Sequence, residues 1–179
     1  MGPRIARRIV LELATNKEKI LKKLIENLKD LDEKVHNCKN CGNLGQADLC
    51  EICSNEKREQ SIICIVEEIS DLMAIERTQN YQGKYHVLGG NLSAISGKTF
   101  EDLNIESLYQ RLKVEPIKEV IIATSATIDG QTTAHFIAQN LKEFNVKITR
   151  LTHGIPIGSE LDYLDEGTIA IAFKTRSEF

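Results

Sequence analysis

Apolar positions recur every three or four residues along the start of the chain, at Ile5, Ile9, Val10 and Leu13 and again at Ile20, Leu21, Leu24, Ile25, Leu28, Leu31 and Val35. That spacing puts them on one side of a helix. It predicts a first helix over 3–14, with Pro3 suited to the opening turn and Arg4, Arg7, Arg8 and Glu12 facing away. A second helix should run to about residue 35. Thr15-Asn16-Lys17-Glu18 has the form of a capping box, which would start that second helix. Two short helices cannot build a core alone, so their stripes are expected to pack on the rest of the chain or on another copy.

The pattern changes twice. From 38 to 60 the chain is polar, with Gly42 and Gly45 and too few apolar residues to fold by burial, so something other than a hydrophobic core must hold it. From Ser61 onward, short apolar runs rich in β-branched residues alternate with amphipathic segments. Strands are predicted at Ile62–Val66, Tyr85–Leu88, Glu119–Ala123 and Val146–Leu151, and helices at Ser70–Arg77, Ile105–Leu112, Gly130–Phe144 and Asp162–Lys174. Near-continuous apolar strands separated by helices indicate a mainly parallel sheet covered on both faces. The expected fold class is therefore an α/β multidomain chain: N-terminal helices, a small cysteine-rich unit and a Rossmann-like α/β domain. A length of 179 residues accommodates that division.

Four of the five cysteines explain the polar stretch. Cys38, Cys41, Cys50 and Cys53 form two CxxC pairs eight residues apart, with Gly42 close behind the first. Such knuckles present four thiolates tetrahedrally to one structural Zn²⁺, whereas disulfides belong to secreted chains and a redox motif needs only one pair. His36 precedes Cys38 by two residues, but four cysteines already complete the shell, so it is read as a helix-end residue. Cys64, inside an apolar strand, is read as a core residue.

Charge adds a gradient to this layout. The net charge is −3, yet residues 1–29 hold eight basic side chains against three acidic ones, and residues 61–179 hold eleven against sixteen. A polyanion should meet the N-terminal part first. There Gly2-Pro3-Arg4-Ile5-Ala6-Arg7-Arg8 opens a helix, and Arg4 and Arg8 lie one turn apart. The segment reads either as a phosphate-contacting helix start or as a solvated basic face. No run of eighteen apolar residues occurs, and the first residues lack the apolar stretch of a signal peptide, so neither a membrane span nor secretion is expected.

Glu67, Glu68 and Asp71 follow the first strand of the α/β part, and Asp129 lies in the loop Ala123-Thr124-Ser125-Ala126-Thr127-Ile128-Asp129-Gly130 after another. Acids at strand ends can hold Mg²⁺; equally, Asp71 and Asp129 can cap helices. Ser125 and Thr127 are neutral and poor Mg²⁺ ligands. The chain has no phosphate-binding loop with lysine and no GxSxG, and Gly89-Gly90 reads as a turn.

Taken in order, these pieces resemble the bacterial recombination-mediator family RecR along essentially the whole chain. The N-terminal segment resembles the turn and second helix of a helix-hairpin-helix, Met1 falling inside the turn of the family pattern. The four cysteines match a zinc finger, and Val66-Glu67-Glu68 with Asp71 match the opening strand of a Toprim domain. Tyr85-His86-Val87-Leu88-Gly89-Gly90, Leu92-Ser93, the Ala123–Gly130 loop, His153-Gly154-Ile155-Pro156-Ile157-Gly158 and Leu161-Asp162-Tyr163 are also similar to RecR segments. The resemblance implies a layout of 1–36 (partial helix-hairpin-helix and helical segment), 37–60 (zinc finger), 61–155 (Toprim domain) and 156–179 (C-terminal arm and helix).

The resemblance implies a cytoplasmic, nucleoid-associated DNA-repair protein that is not an enzyme. Members assemble into dimers or tetrameric rings and work with RecO and RecF to place RecA on single-stranded DNA at gaps. On this reading one Zn²⁺ per chain sits on Cys38, Cys41, Cys50 and Cys53, Arg4, Arg7 and Arg8 touch DNA phosphates, and Glu67, Asp71 and Asp129 form a vestigial acidic patch. Where catalytic Toprim enzymes carry two aspartates in the second loop, this chain has Ser125 and Thr127; Asp129 stands where RecR usually has Glu. The competing reading is a metal-dependent Toprim nuclease or primase-like enzyme using those three acids on Mg²⁺.

Overall fold

In the computed structural model, which describes residues 2–152 and 154–176, the N-terminal stripes form helices α1 (Pro3–Thr15) and α2 (Lys22–Lys34). Met1, His153 of the arm motif and residues 177–179 lie outside the described residues. The expected capping box does not form. Thr15 Oγ1 donates back to the Leu11 carbonyl, and Glu18 pairs with Lys22 at 2.7 Å. Both are ordinary choices of a helix continuing through its own i to i+4 contacts. A wide π turn at Lys17–Leu21 joins the two helices, with Leu21 N–H donating to Asn16 O at 3.3 Å. Neither helix buries a residue: Ile5 is 55% and Leu31 59% exposed. Arg8 does not face fully away either, since it borders the same shallow groove as Ile5, Ile9, Leu13 and Ile20.

After α2 the cysteine-rich segment makes a small hairpin, β1 (His36–Asn37) antiparallel to β2 (Leu44–Gly45), and a single helical turn α3 (Glu51–Ser54). The α/β part then alternates β3 (Ile62–Val66), α4 (Ile69–Glu76), β4 (Lys84–Val87), α5 (Ile105–Val114), β5 (Glu119–Ala123), α6 (Ile128–Asn140), β6 (Lys147–Arg150) and α7 (Glu166–Lys174). The strands lie in the order β4-β3-β5-β6, every pair parallel. A 3-10 turn at Leu141–Glu143 finishes the helix expected over 130–144. The helix expected to begin at Asp162 begins at Glu166, because Asp165 Oδ1 accepts the Thr168 N–H at 3.0 Å and caps it there.

Alternation along the strands divides the core into two layers. Ile63, Ile65, Val120 and Ile122 pack with Leu108 and Leu112 of α5 and Ile137 of α6. Cys64, Val66, Tyr85 and Val87 pack with Leu72 of α4 and with Ile52 of the cysteine-rich segment. Cys64 is the core residue its setting predicts, burial pushing its thiol up to about 12.

Strand β4 ends the sheet, and its outer edge is covered. The Gly83 carbonyl accepts from Arg58 Nη1 at 2.9 Å, and the Tyr85 carbonyl from Arg111 Nη1 at 2.7 Å. Val87 N–H donates to Cys41 O at 2.8 Å, and Val87 O accepts from Asn104 Nδ2 at 3.3 Å. An edge strand whose polar groups are already occupied cannot recruit another strand. Arg111 is itself buried and held by Glu115, its Nε 2.9 Å from Oε1 and its Nη2 3.2 Å from Oε2.

His86 completes this network. Fully buried, it donates from Nε2 to the Asn104 carbonyl at 2.6 Å, while Nδ1 faces Arg111 Nη1 at 3.4 Å. Burial pushes its pKa down from 6.5 to about 4, so the folded protein holds the imidazole neutral. Above pH 6.5 this costs nothing. As pH falls from 6.5 toward 4 the unfolded chain takes up the proton and the folded one does not, so stability drains away by about 3 kcal/mol and then levels off. Urea unfolding of the parent and of His86→Gln across that range should show a parent curve falling more steeply. Titration of the cysteines is common to both proteins and cancels in the difference; parallel curves would refute the assignment.

Candidate metal centre and nucleic-acid surface

The four cysteines of the two knuckles converge. Their sulfur atoms all lie within 4.8 Å of one another, the only cluster of three or more His, Cys, Asp or Glu side chains so arranged among the described residues. Cys41 Sγ and Cys50 Sγ are 3.6 Å apart, against about 3.8 Å across a tetrahedron with Zn–S near 2.3 Å. Cys38, Cys41 and Cys50 are buried and Cys53 is half-buried. The Cys50 N–H donates to Cys38 Sγ at 3.3 Å, and Asn40 Nδ2 points at Cys53 Sγ from 3.9 Å. Four thiolates can coexist at this spacing only around a cation, and the donor set is the one zinc takes. His36 stays exposed in the β1–β2 hairpin, outside the cluster, one residue beyond the helix-end position expected for it.

Local sequence builds this geometry. Gly42 sits at φ +77°, and a Cβ there would approach Val87 O to 3.1 Å and Asn104 Nδ2 to 3.2 Å, so only glycine lets the first knuckle lie against the end of β4. The second knuckle opens α3, whose Ile52 side chain enters the core layer under β3 and β4.

The acids at the strand ends are dispersed. Glu67 follows β3 and Ser125 follows β5, which places them where the strand order reverses, the usual ligand crevice of an open parallel sheet. Here the crevice closes on itself: Glu67 Oε1 accepts from Ser125 N–H at 2.9 Å and from Ser125 Oγ at 3.1 Å, and Oε2 accepts from Asn91 Nδ2 at 3.3 Å. Gly130 allows the approach of α6, since a Cβ there would collide with the Ser125 carbonyl and lie 2.8 Å from Glu67 Oε1. Asp71 closes a capping box with Glu68, accepting its N–H at 2.9 Å. Thr127, not Asp129, caps α6, accepting from Gly130 N–H at 3.1 Å, and Asp129 lies half-buried in the first turn. Glu67, Asp71 and Asp129 thus do not bring their oxygens together within metal-sharing distance. Gly89 and Gly90 form a turn, both amides donating to the Glu67 carbonyl at 2.9 Å.

Arg4, Arg7 and Arg8 are all exposed along the start of α1, and none has an ion-pair or hydrogen-bond partner among the described residues. Gly2 caps the helix with extended backbone and Pro3 occupies its first position. Lys84 escaped the sequence reading. A lysine opening a strand that is buried throughout is the signal that could have found it, and its contacts are taken up below.

Helices, a four-sulfur centre and a four-stranded parallel sheet define a zinc-finger protein built on a Rossmann-like α/β domain. Residues 61–152 match the Toprim domain family, 35–55 the four-cysteine zinc finger domain of RecR and 154–177 the RecR C-terminal family. Among similar proteins, the Recombination protein RecR of Rickettsia massiliae (strain Mtu5) is 52% identical over 179 residues, covering 100% of this chain and 89% of that protein. That of Anaplasma phagocytophilum (strain HZ) is 47% identical over 176 residues, 98% of this chain and 91% of its own length. That of Bartonella bacilliformis (strain ATCC 35685 / KC583 / Herrer 020/F12,63) is 49% identical over 179 residues, covering 100% and 89%. The chain belongs to the RecR family, and its four cysteines are the structural zinc site of that family's finger. No described helix is long and apolar enough to cross a membrane.

Protein purified without chelator should carry one zinc per chain by metal analysis. Cys50→Ala should bring the content near zero and open the finger, so that the Val87 amide, bonded to Cys41 O, exchanges with solvent much faster. A parent protein without zinc would contradict the site.

Proposed function

We propose that this chain is a DNA-binding recombination mediator of cytoplasmic, nucleoid-associated DNA repair. It acts with RecO- and RecF-type partners to help load a RecA-type strand-exchange protein on single-stranded DNA at gaps. The layout is the one the family pattern implies: 1–36 helical, 37–60 finger, 61–155 Toprim domain and 156–179 arm. The protein works by binding rather than by catalysis. The observation that carries this reading is the closure of Glu67 onto Ser125 and Asn91, which occupies the carboxylate a Toprim enzyme turns toward Mg²⁺. The acidic patch of Glu67, Asp71 and Asp129 is accordingly vestigial, with the carboxylates of Glu67 and Asp71 serving local hydrogen bonds.

DNA contact falls to Arg4 and Arg8, with Arg7 beside them, because these side chains are exposed and unpaired on the most basic stretch of the chain. The uncovered apolar stripes of α1 and α2 fit a second copy, in keeping with a dimer or ring.

Replacing both Arg4 and Arg8 with Ala should weaken binding to single- and double-stranded DNA of any sequence about equally. It should also flatten the plot of log affinity against log salt by roughly 0.7–0.9 for each phosphate no longer neutralised. Weaker affinity with an unchanged slope would assign the arginines to assembly, and unchanged affinity would move the phosphate-binding surface elsewhere, the lysines of α2 first.

Incubation with supercoiled plasmid and Mn²⁺ should leave it intact. Nicking that disappears in Glu67→Gln would overturn the non-enzymatic reading.

A further inference from the structure

Lys84 is the most deeply placed lysine of the described residues, 3% exposed, at the start of edge strand β4. Its Nζ donates all three of its hydrogens to main-chain carbonyls of the second zinc knuckle: Ile52 O at 2.8 Å, Cys53 O at 3.0 Å and Asn55 O at 2.9 Å. These carbonyls lie at and just past the end of α3, where a helical turn leaves its acceptors short of intrahelical partners. Each ammonium hydrogen has its own carbonyl; Ile52 O and Cys53 O accept from Lys84, and Asn55 O accepts from the Arg58 N–H at 3.3 Å as well.

The charge is not matched in the same way. No carboxylate lies within ion-pair distance of Lys84 among the described residues. An ammonium withdrawn from water is strongly unfavourable unless an anion answers it, because carbonyl dipoles recover only part of the lost hydration. The anion on hand is the metal centre itself. Zn²⁺ with four thiolates carries a net charge of −2, and one of the three carbonyls holding Nζ belongs to the ligand residue Cys53.

We propose that Lys84 is the counter-cation and positioning residue of the zinc–thiolate centre. It fixes the second knuckle against β4 from outside the metal's own shell and slows loss of the ion. With the bond from Val87 N–H to Cys41 O, it gives each knuckle an anchor on the same strand, the first through a main-chain amide and the second through a buried charge. Outer groups that hold metal ligands in place contribute tenfold to a hundredfold in metal affinity, and a residue supplying charge as well as orientation belongs in that range.

This rests on the zinc assignment, so the zinc content of the parent is measured first. A parent without zinc removes the site itself, whereas a loaded parent leaves Lys84 as the only point at issue. Zinc-loaded Lys84→Met, Lys84→Arg and parent are then mixed with a chromophoric chelator and the release of metal is timed. Lys84→Met should release zinc roughly ten- to a hundredfold faster, with Lys84→Arg, which keeps the charge in a different geometry, in between. Ile137→Ala, a deletion in the core layer away from the finger, supplies a comparably destabilised control and should release zinc at the parental rate. If Lys84→Met does not fold, Lys84→Gln takes its place, keeping an amide donor for the carbonyls while losing the charge. Unchanged release in whichever neutral variant folds overturns the proposal. Equal acceleration in Ile137→Ala also overturns it, because Lys84 would then be an ordinary strut.

Discussion

The constraint on which the rest depends is that residues 38–60 contain too little apolar surface to fold, and yet they cover one edge of the sheet. Four sulfur atoms resolve this by replacing a hydrophobic core with a metal core. The finger is a continuation of the sheet domain more than a bead beside it. Cys41 lends its carbonyl to Val87, Cys53 lends its carbonyl to Lys84, and Ile52 enters the layer of Cys64, Val66 and Tyr85. Arg58, five residues past Cys53, holds the Gly83 carbonyl and pairs with Glu76, which also accepts from the Tyr85 hydroxyl at 2.7 Å. Metal, finger and edge strand therefore stand on a shared set of contacts.

The C-terminal ends of β3 and β5 show how a strand-end acid can be settled without a metal. The point where the strand order reverses survives, as does an acid at the end of β3. What differs is the company that acid keeps: a serine amide, a serine hydroxyl and an asparagine amide, all neutral donors, satisfy it without a cation. Had Ser125 been an aspartate, two carboxylates would face each other and the loop would need a metal to stay closed.

Much of this was legible beforehand, and the residues show why. Strands β3 and β5 have the bounds their apolar runs suggested, since a buried parallel strand needs little beyond an unbroken run of Ile and Val. The CxxC spacing identified the metal centre because sulfur geometry is itself a spacing rule. The start of α2 was misjudged: Thr15 and Glu18 have the residue types of a cap, but whether a helix stops is decided by the competition between a cap and a continued ladder, and here Lys22 took Glu18. The β1–β2 hairpin was invisible because the knuckles impose it rather than its own side chains. Aspartates such as Asp71 and Asp129 have the same residue type whether they cap or ligate, and the fold separates them: Asp71 closes a cap, while for the second helix the neighbouring Thr127 does so. Lys84 went unnoticed because its partners are main-chain carbonyls, which carry no mark in a sequence.

The sealed edge of β4 has a consequence for how such a molecule can associate. A parallel sheet grows by adding strands at its sides, and on the β4 side that route is closed by two arginines, a cysteine carbonyl and an asparagine. The β6 side carries only four residues, with exposed Lys147 and Arg150 at its two ends, the kind of short, charged border that discourages a neighbour. Sheet extension is thus blocked on one flank and guarded on the other. Any association must then use surfaces that meet side chain to side chain, where fit is specific and a misaligned stack of strands has no place to begin.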